Sequence, residues 1–146
     1  MTEVAKTKPD LVLWLIAGLG LIWNLIGIYQ FAITEFATKA QYIAGGMTPA
    51  QADFYLQLPV WMKFAFAIGV VAGSVGCVLL ILNRKRALPV LWVSLIAYIS
   101  LYIADIVYGV FQTLGSKQVS IMTMVLAIAV GLQAYAVWLG RRGKLG

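Results

Sequence analysis

Asp105 lies in SLIAYISLYIADIVYGVF (residues 94–111), where it is the only charged side chain in an otherwise membrane-like run. Lys63 sits four positions beyond Pro59, near the start of a second apolar run, and Glu35 closes a first run that begins at Leu11. An isolated carboxylate or ammonium in hydrocarbon is costly, so such groups pair, face a polar interior or serve a pathway. Asp105 lies about six residues from the outer end of its run, roughly 9 Å deep, and Lys63 roughly 6 Å deep from the same side. Antiparallel neighbours therefore bring them level, with Glu35 slightly further out, and a lysine between two carboxylates is the expected arrangement.

Three chemistries suit these residues. They are a structural polar cluster, a path or site for a proton or small polar solute, and a subunit contact. Catalysis is the weakest fit. The chain has no histidine, and its single cysteine, Cys77, lies among aliphatic residues. That removes the commonest general base and the usual Cys/His metal sets, and leaves one Asp/Lys pair for acid–base work. No enzyme activity, catalytic residue, metal or cofactor is expected.

The elements that position these residues follow from periodicity. Ser94, Tyr98, Tyr102, Asp105, Tyr108 and Gln112 share one face of a helix, so Asp105 belongs to a polar stripe. A facing stripe on the first run comprises Ala17, Gly20, Asn24, Gly27, Phe31 and Glu35. The second run carries Gly69-x-x-x-Gly73 and Gly76, the small-residue spacing that lets helices approach closely. In the last run, Gln133 is flanked on its face by Ala129, Ala136 and Gly140, and one interhelical hydrogen bond is expected from it. Asp105, Lys63, Glu35, Asn24, Tyr98, Tyr102 and Tyr108 form the candidate ligand-binding or structural cluster. Gly20, Gly27, Gly69, Gly73 and Gly76 are the candidate helix-packing positions.

Composition sets the class. Of 146 residues, 62% are hydrophobic and 11% charged, against about a quarter charged in soluble domains. Four runs reach the ~20 residues needed to cross ~30 Å of hydrocarbon, at about 11–36, 59–82, 87–111 and 120–140. The reading is an all-α integral membrane four-helix bundle in one domain. The N-terminal MTEVAKTKPD is short, and the run behind it is longer than a signal peptide's ~7–15-residue core, so it is expected to remain as the first span. Thr48, Pro49 and Gln51 mark a helix start, predicting a short interfacial helix over about 48–57 in the first periplasmic connection. Lys6, Lys8, Arg84, Lys85, Arg86, Arg141, Arg142 and Lys144 fall on one side, and Lys39, Lys63 and Lys117 on the other. Eight against three predicts both termini in the cytoplasm. These basic residues flank spans, so the net charge of +6 reports orientation and not nucleic-acid binding. Trp14, Trp61, Trp92 and Trp138 lie toward span ends, as an interfacial belt requires, and Trp23 lies deeper.

WNLIGIYQFAIT (23–34), MTPAQADFYLQLPVW (47–61), GVVAGSVGCVLLILNRKRALPV (69–90) and Ser94-Leu95 resemble a family of small four-span proteobacterial inner-membrane proteins. The shared elements are Trp-Asn-x-x-Gly, Thr-Pro-x-Gln, Pro-x-Trp and Gly-Val-x-x-Gly, in that order. The resemblance covers roughly the first two thirds of the chain and does not reach Asp105. It implies a multi-pass inner-membrane protein, and some such proteins carry the automatic label sugar transporter. A weaker similarity to DoxX-like four-helix membrane proteins implies an accessory role. The expected function is thus a non-enzymatic accessory, scaffold or assembly subunit. The alternative is a homo-oligomeric transporter or binding protein for a small, sugar-like solute. The expected partners are the lipid bilayer and either further copies of the chain or a larger membrane complex.

Overall fold

The computed structural model describes residues 11–146, all of whose regular structure is helical. The elements are α1 (Leu11–Glu35), α2 (Lys39–Ala44), α3 (Pro49–Leu56), α4 (Val60–Ile81), α5 (Ala87–Val107), α6 (Val110–Leu114) and α7 (Ser116–Arg141). Four of these, α1, α4, α5 and α7, are long and apolar enough to cross a bilayer. Helices suit that solvent because they satisfy every backbone group internally. The expected four-helix membrane bundle is what the chain forms. Lys6 and Lys8 lie outside the described residues.

Helix α4 packs on α1 and on α5, and α5 packs on α7, while α1 and α7 meet less extensively. The glycines of α4 explain its central position. A Cβ on Gly69 would run into the Tyr98 ring, one on Gly73 into the Asn24 amide, and one on Gly76 into Leu91. On α1, Gly20 receives Leu132 and Cys77, and Gly27 receives Val70. All five predicted packing positions are close approaches. At the end that carries the α4–α5 turn, Leu13, Ala17, Leu80, Ala87, Leu91, Ala136, Leu139 and Leu145 form one buried core. Trp14, Trp61, Trp92 and Trp138 are all about half-exposed on the outside of the bundle.

The chain turns between α4 and α5 through Asn83, at φ 58°, a left-handed conformation that asparagine tolerates better than most residues. The segment after α7 returns to this turn. Gly146 N–H donates to the Asn83 carbonyl at 2.6 Å, and Lys85 N–H donates to the Gly146 carbonyl at 2.9 Å. The α4–α5 turn and the end of α7 therefore lie at the same end of the bundle.

Three boundaries differ from expectation. Helix α5 stops at Val107 and not at residue 111, because Gly109 adopts φ +75° and redirects the chain into α6. Helix α7 begins at Ser116, four residues early, because Gly115 at φ +89° ends α6 and starts a new helix at once. The first connection holds two helices and not one. The predicted capping box of Thr48 and Gln51 opens α3, and a second box, Thr38 with Gln41, opens α2.

Tight α4 contacts yield a contrast that thermal or denaturant unfolding in detergent will read. Gly73→Val, which forces the Asn24 amide aside, lowers stability by about 1–3 kcal/mol. Gly131→Ala has nothing within 4 Å of the added carbon and raises stability by about 0.5–1 kcal/mol.

Candidate functional site

The polar residues of the bundle divide into two groups. The deeper one is a satisfied spine. Asn24 Nδ2 donates to the Gly20 carbonyl at 2.8 Å, and Tyr98 Oη donates to Asn24 Oδ1 at 3.1 Å. Ser94 Oγ donates across to the Gly69 carbonyl at 2.7 Å, and Ser74 Oγ to Val70 within its own helix at 2.8 Å. Asn24, Tyr98, Ser94 and Ser74 are all buried. The remaining space beside them is about 10 Å³, bordered by Trp23, Asn24, Gly73 and Tyr98. That is at the limit for one water. The spine reads as structural.

Near the end that carries α2 and α3 the spans line a larger cavity of about 50 Å³. Its polar lining is Glu35 from α1, Tyr55 from α3, Lys63 from α4, Asp105 from α5 and Gln118 from α7. Leu58, Met62, Phe66, Leu101 and Met122 are among its apolar walls. Tyr55 Oη donates to Glu35 Oε1 at 3.0 Å. Lys63 Nζ stands 3.8 Å from Glu35 Oε2, an ion pair without a hydrogen bond, and its side chain is 41% exposed. Asp105 is 3% exposed, and its Oδ2 is buried with no hydrogen-bond partner. Glu35 Oε2 is likewise buried with no hydrogen bond, on a side chain 5% exposed.

The expected lysine between two carboxylates is therefore realised on one side alone. Lys63 and Glu35 come from helices in direct contact, and the lysine stem leads its ammonium toward the surface. No ion pair links Lys63 to Asp105. The predicted α5 stripe also separates. Tyr102 shares a hydrogen bond of 3.1 Å with Thr123 and an edge contact with Phe111, outside the cavity. Tyr108 follows the last turn of α5 and is 43% exposed, so it joins neither polar group. Gln112 belongs to α6 and is exposed. Gln133 is buried, but neither its amide nitrogen nor its oxygen has a hydrogen-bond partner, so the expected interhelical bond is not formed.

The sequence reading missed Tyr55 and Gln118, both supplied by segments flanking the spans. Its signal for Tyr55 was the α3 capping box, which sets the helix's start and hence which face meets α1. A clamp then fixes the segment over the cavity. Lys39 Nζ pairs with Asp53 at 2.9 Å, Gln51 Nε2 donates to the Thr113 carbonyl at 2.9 Å, and Tyr42 Oη donates to the Thr34 carbonyl. The Tyr42 and Tyr55 rings meet edge-on with centroids 5.3 Å apart. Burial, and then the negative charge of Glu35, push the Tyr55 phenol above the ordinary tyrosine range; the same two causes raise Tyr42. Among the described residues no group of three or more His, Cys, Asp or Glu side chains could hold a metal ion.

Compared with protein-family models, curated proteins and solved structures, the chain matches none.

Two measurements test the clamp. Tyr55→Phe leaves Glu35 Oε1 without its donor and lowers stability by about 1.5–3 kcal/mol, read by unfolding in detergent. The raised phenols resist ionisation in the fold, so their contribution is intact below the unfolded pKa of about 10 and lost as pH rises beyond it. Stability of the parent protein falls more steeply above that pH than stability of the Tyr42→Phe/Tyr55→Phe variant.

Proposed function

We propose that this chain is a non-enzymatic integral membrane protein that works through its contacts, as an accessory, scaffold or assembly subunit of a membrane complex. The supporting observation is the filled inner half of the bundle. Leu13, Ala17, Leu80, Ala87, Leu91, Ala136 and Leu139 form one buried aliphatic cluster, and the Asn24–Tyr98 spine is hydrogen-bonded within the bundle. A sugar-sized solute needs a pocket of several hundred Å³, so a 50 Å³ cavity is too small for one.

The proposed setting is a bacterial inner membrane with both termini on the cytoplasmic side. In its favour, Arg84, Lys85, Arg86, Arg141, Arg142 and Lys144 cluster at the end that joins the α4–α5 turn to the end of α7. Lys39, Lys63 and Lys117 lie toward the other end. The resemblance to small four-span inner-membrane proteins, carried by residues 23–34, 47–61 and 69–95, points the same way, and we propose membership of that family on those motifs.

A second reading rests on the outer cavity. Its carboxyl oxygens without hydrogen-bond donors favour a binding protein for a small polar solute, alone or as a homo-oligomer. Native mass spectrometry of gently solubilised membranes separates the two. The accessory reading expects the chain at a fixed ratio with a second, reproducible protein whose abundance falls when the chain is deleted. A chain that flies alone or as a symmetric dimer, with a retained polar solute, overturns it.

A further inference from the structure

The outer cavity has an excess of acceptors over donors. Glu35 and Asp105 bring two carboxylates to it, and Lys63 is the one cationic side chain in its lining. Lys63 is partly exposed and stands 3.8 Å from Glu35 Oε2, close enough to attract and too far to hydrogen-bond. Asp105 Oδ2 has no donor although the residue is 3% exposed. Tyr55 is already committed to Glu35 Oε1. Leaving a buried carboxylate oxygen without a donor is expensive, and the cost rises in a low-dielectric interior. These are two buried acceptors on different helices, and both residues line one cavity.

We propose that this cavity is a binding site for one small primary ammonium cation, held by Asp105 and Glu35 with its short apolar tail against Met62, Phe66, Leu101 and Met122. A primary ammonium carries three donors on one point charge, which suits Asp105 Oδ2, Glu35 Oε2 and the nearby Gln118 amide. Its N–H groups supply the donors that the buried carboxyl oxygens lack. The cavity, about 50 Å³, accepts a headgroup and one or two carbons. Its walls argue against a hard metal cation. Calcium asks for six to eight oxygens and magnesium for an octahedral set of them, and most of this lining is aliphatic, aromatic or thioether. Lys63 competes for the same carboxylates, so it tunes the site and is not its occupant.

The site does not depend on the accessory reading, since an assembly subunit with or without a partner can hold a small cation. The test uses the purified full chain in lipid nanodiscs, with equilibrium dialysis of radiolabelled ethylammonium at neutral pH and constant ionic strength. The expected result is saturable binding of one equivalent per chain. Charge-assisted hydrogen bonds to a buried carboxylate are worth about 1.5–3 kcal/mol, so Asp105→Asn and Glu35→Gln each weaken binding by about 10- to 100-fold. Lys63→Met tightens it, and Arg141→Gln, exposed at the opposite end of the bundle, leaves it unchanged. Tetramethylammonium, which has no N–H, does not compete. Absence of saturable binding to the parent protein in the tens of millimolar range overturns the proposal, whatever the variants do. So does equal binding by a folded Asp105→Asn, or equal displacement by tetramethylammonium or sodium.

Discussion

Inside a bilayer there is no water to drive helices together, and lipid tails offer a leucine side chain as good a neighbour as another helix does. What holds this chain is therefore close contact along α4. Gly69, Gly73 and Gly76 face inward at helical spacing, and each accepts a bulky group from a neighbour: the Tyr98 ring, the Asn24 amide and the Leu91 side chain. These contacts set how near α1 and α5 can come. They also place Asn24 and Tyr98 within hydrogen-bonding distance of one another across α4. The steric fit and the buried hydrogen bond are thus two consequences of the same small residues.

From that central seam the bundle differs along its length. At the end that carries the α4–α5 turn, α1, α4, α5 and α7 converge on aliphatic residues, and the chain after α7 is drawn in by Leu145 and by backbone bonds to Asn83 and Lys85. At the opposite end the helices border a cavity whose lining includes charged side chains. Asn24, Ser74, Ser94 and Tyr98 have hydrogen-bond partners within the bundle, whereas Asp105 Oδ2, Glu35 Oε2 and both Gln133 amide atoms have none. Buried polar groups without partners are rare in folded proteins and concentrate where a molecule has something other than packing to do. Asp105 and Glu35 share a cavity; Gln133 does not line it.

The connection between α1 and α4 is built as a clasp over that cavity. Two capping boxes set the starts of α2 and α3, so the phase of each helix is fixed independently. Lys39–Asp53 then ties α2 to α3, Gln51 ties α3 to α6, and Tyr42 and Tyr55 reach back to the end of α1. Each contact spans two elements, and the Tyr55 contact brings the connection into direct contact with Glu35. The connection is thereby part of the site.

Much of this was written in the linear chain. Four apolar runs, the small-residue stripe on α4, the Thr48–Gln51 helix start and the Asn24 face of α1 follow from local periodicity and capping chemistry, which depend on neighbours three or four residues away. The partner of Lys63 did not follow, because depth in the membrane cannot say which of two carboxylates at similar height lies across the tighter helix pair. Nor did the division of the α5 stripe, where Tyr98 bonds across the core, Tyr102 turns toward Thr123, and Tyr108 falls beyond a helix end set by Gly109. Gln133 shows the same limit, since a face flanked by alanine and glycine promises close approach without supplying a partner. Periodicity decides which residues share a face; the angles and distances between helices decide which of those residues meet, and these arise from the whole bundle packing at once.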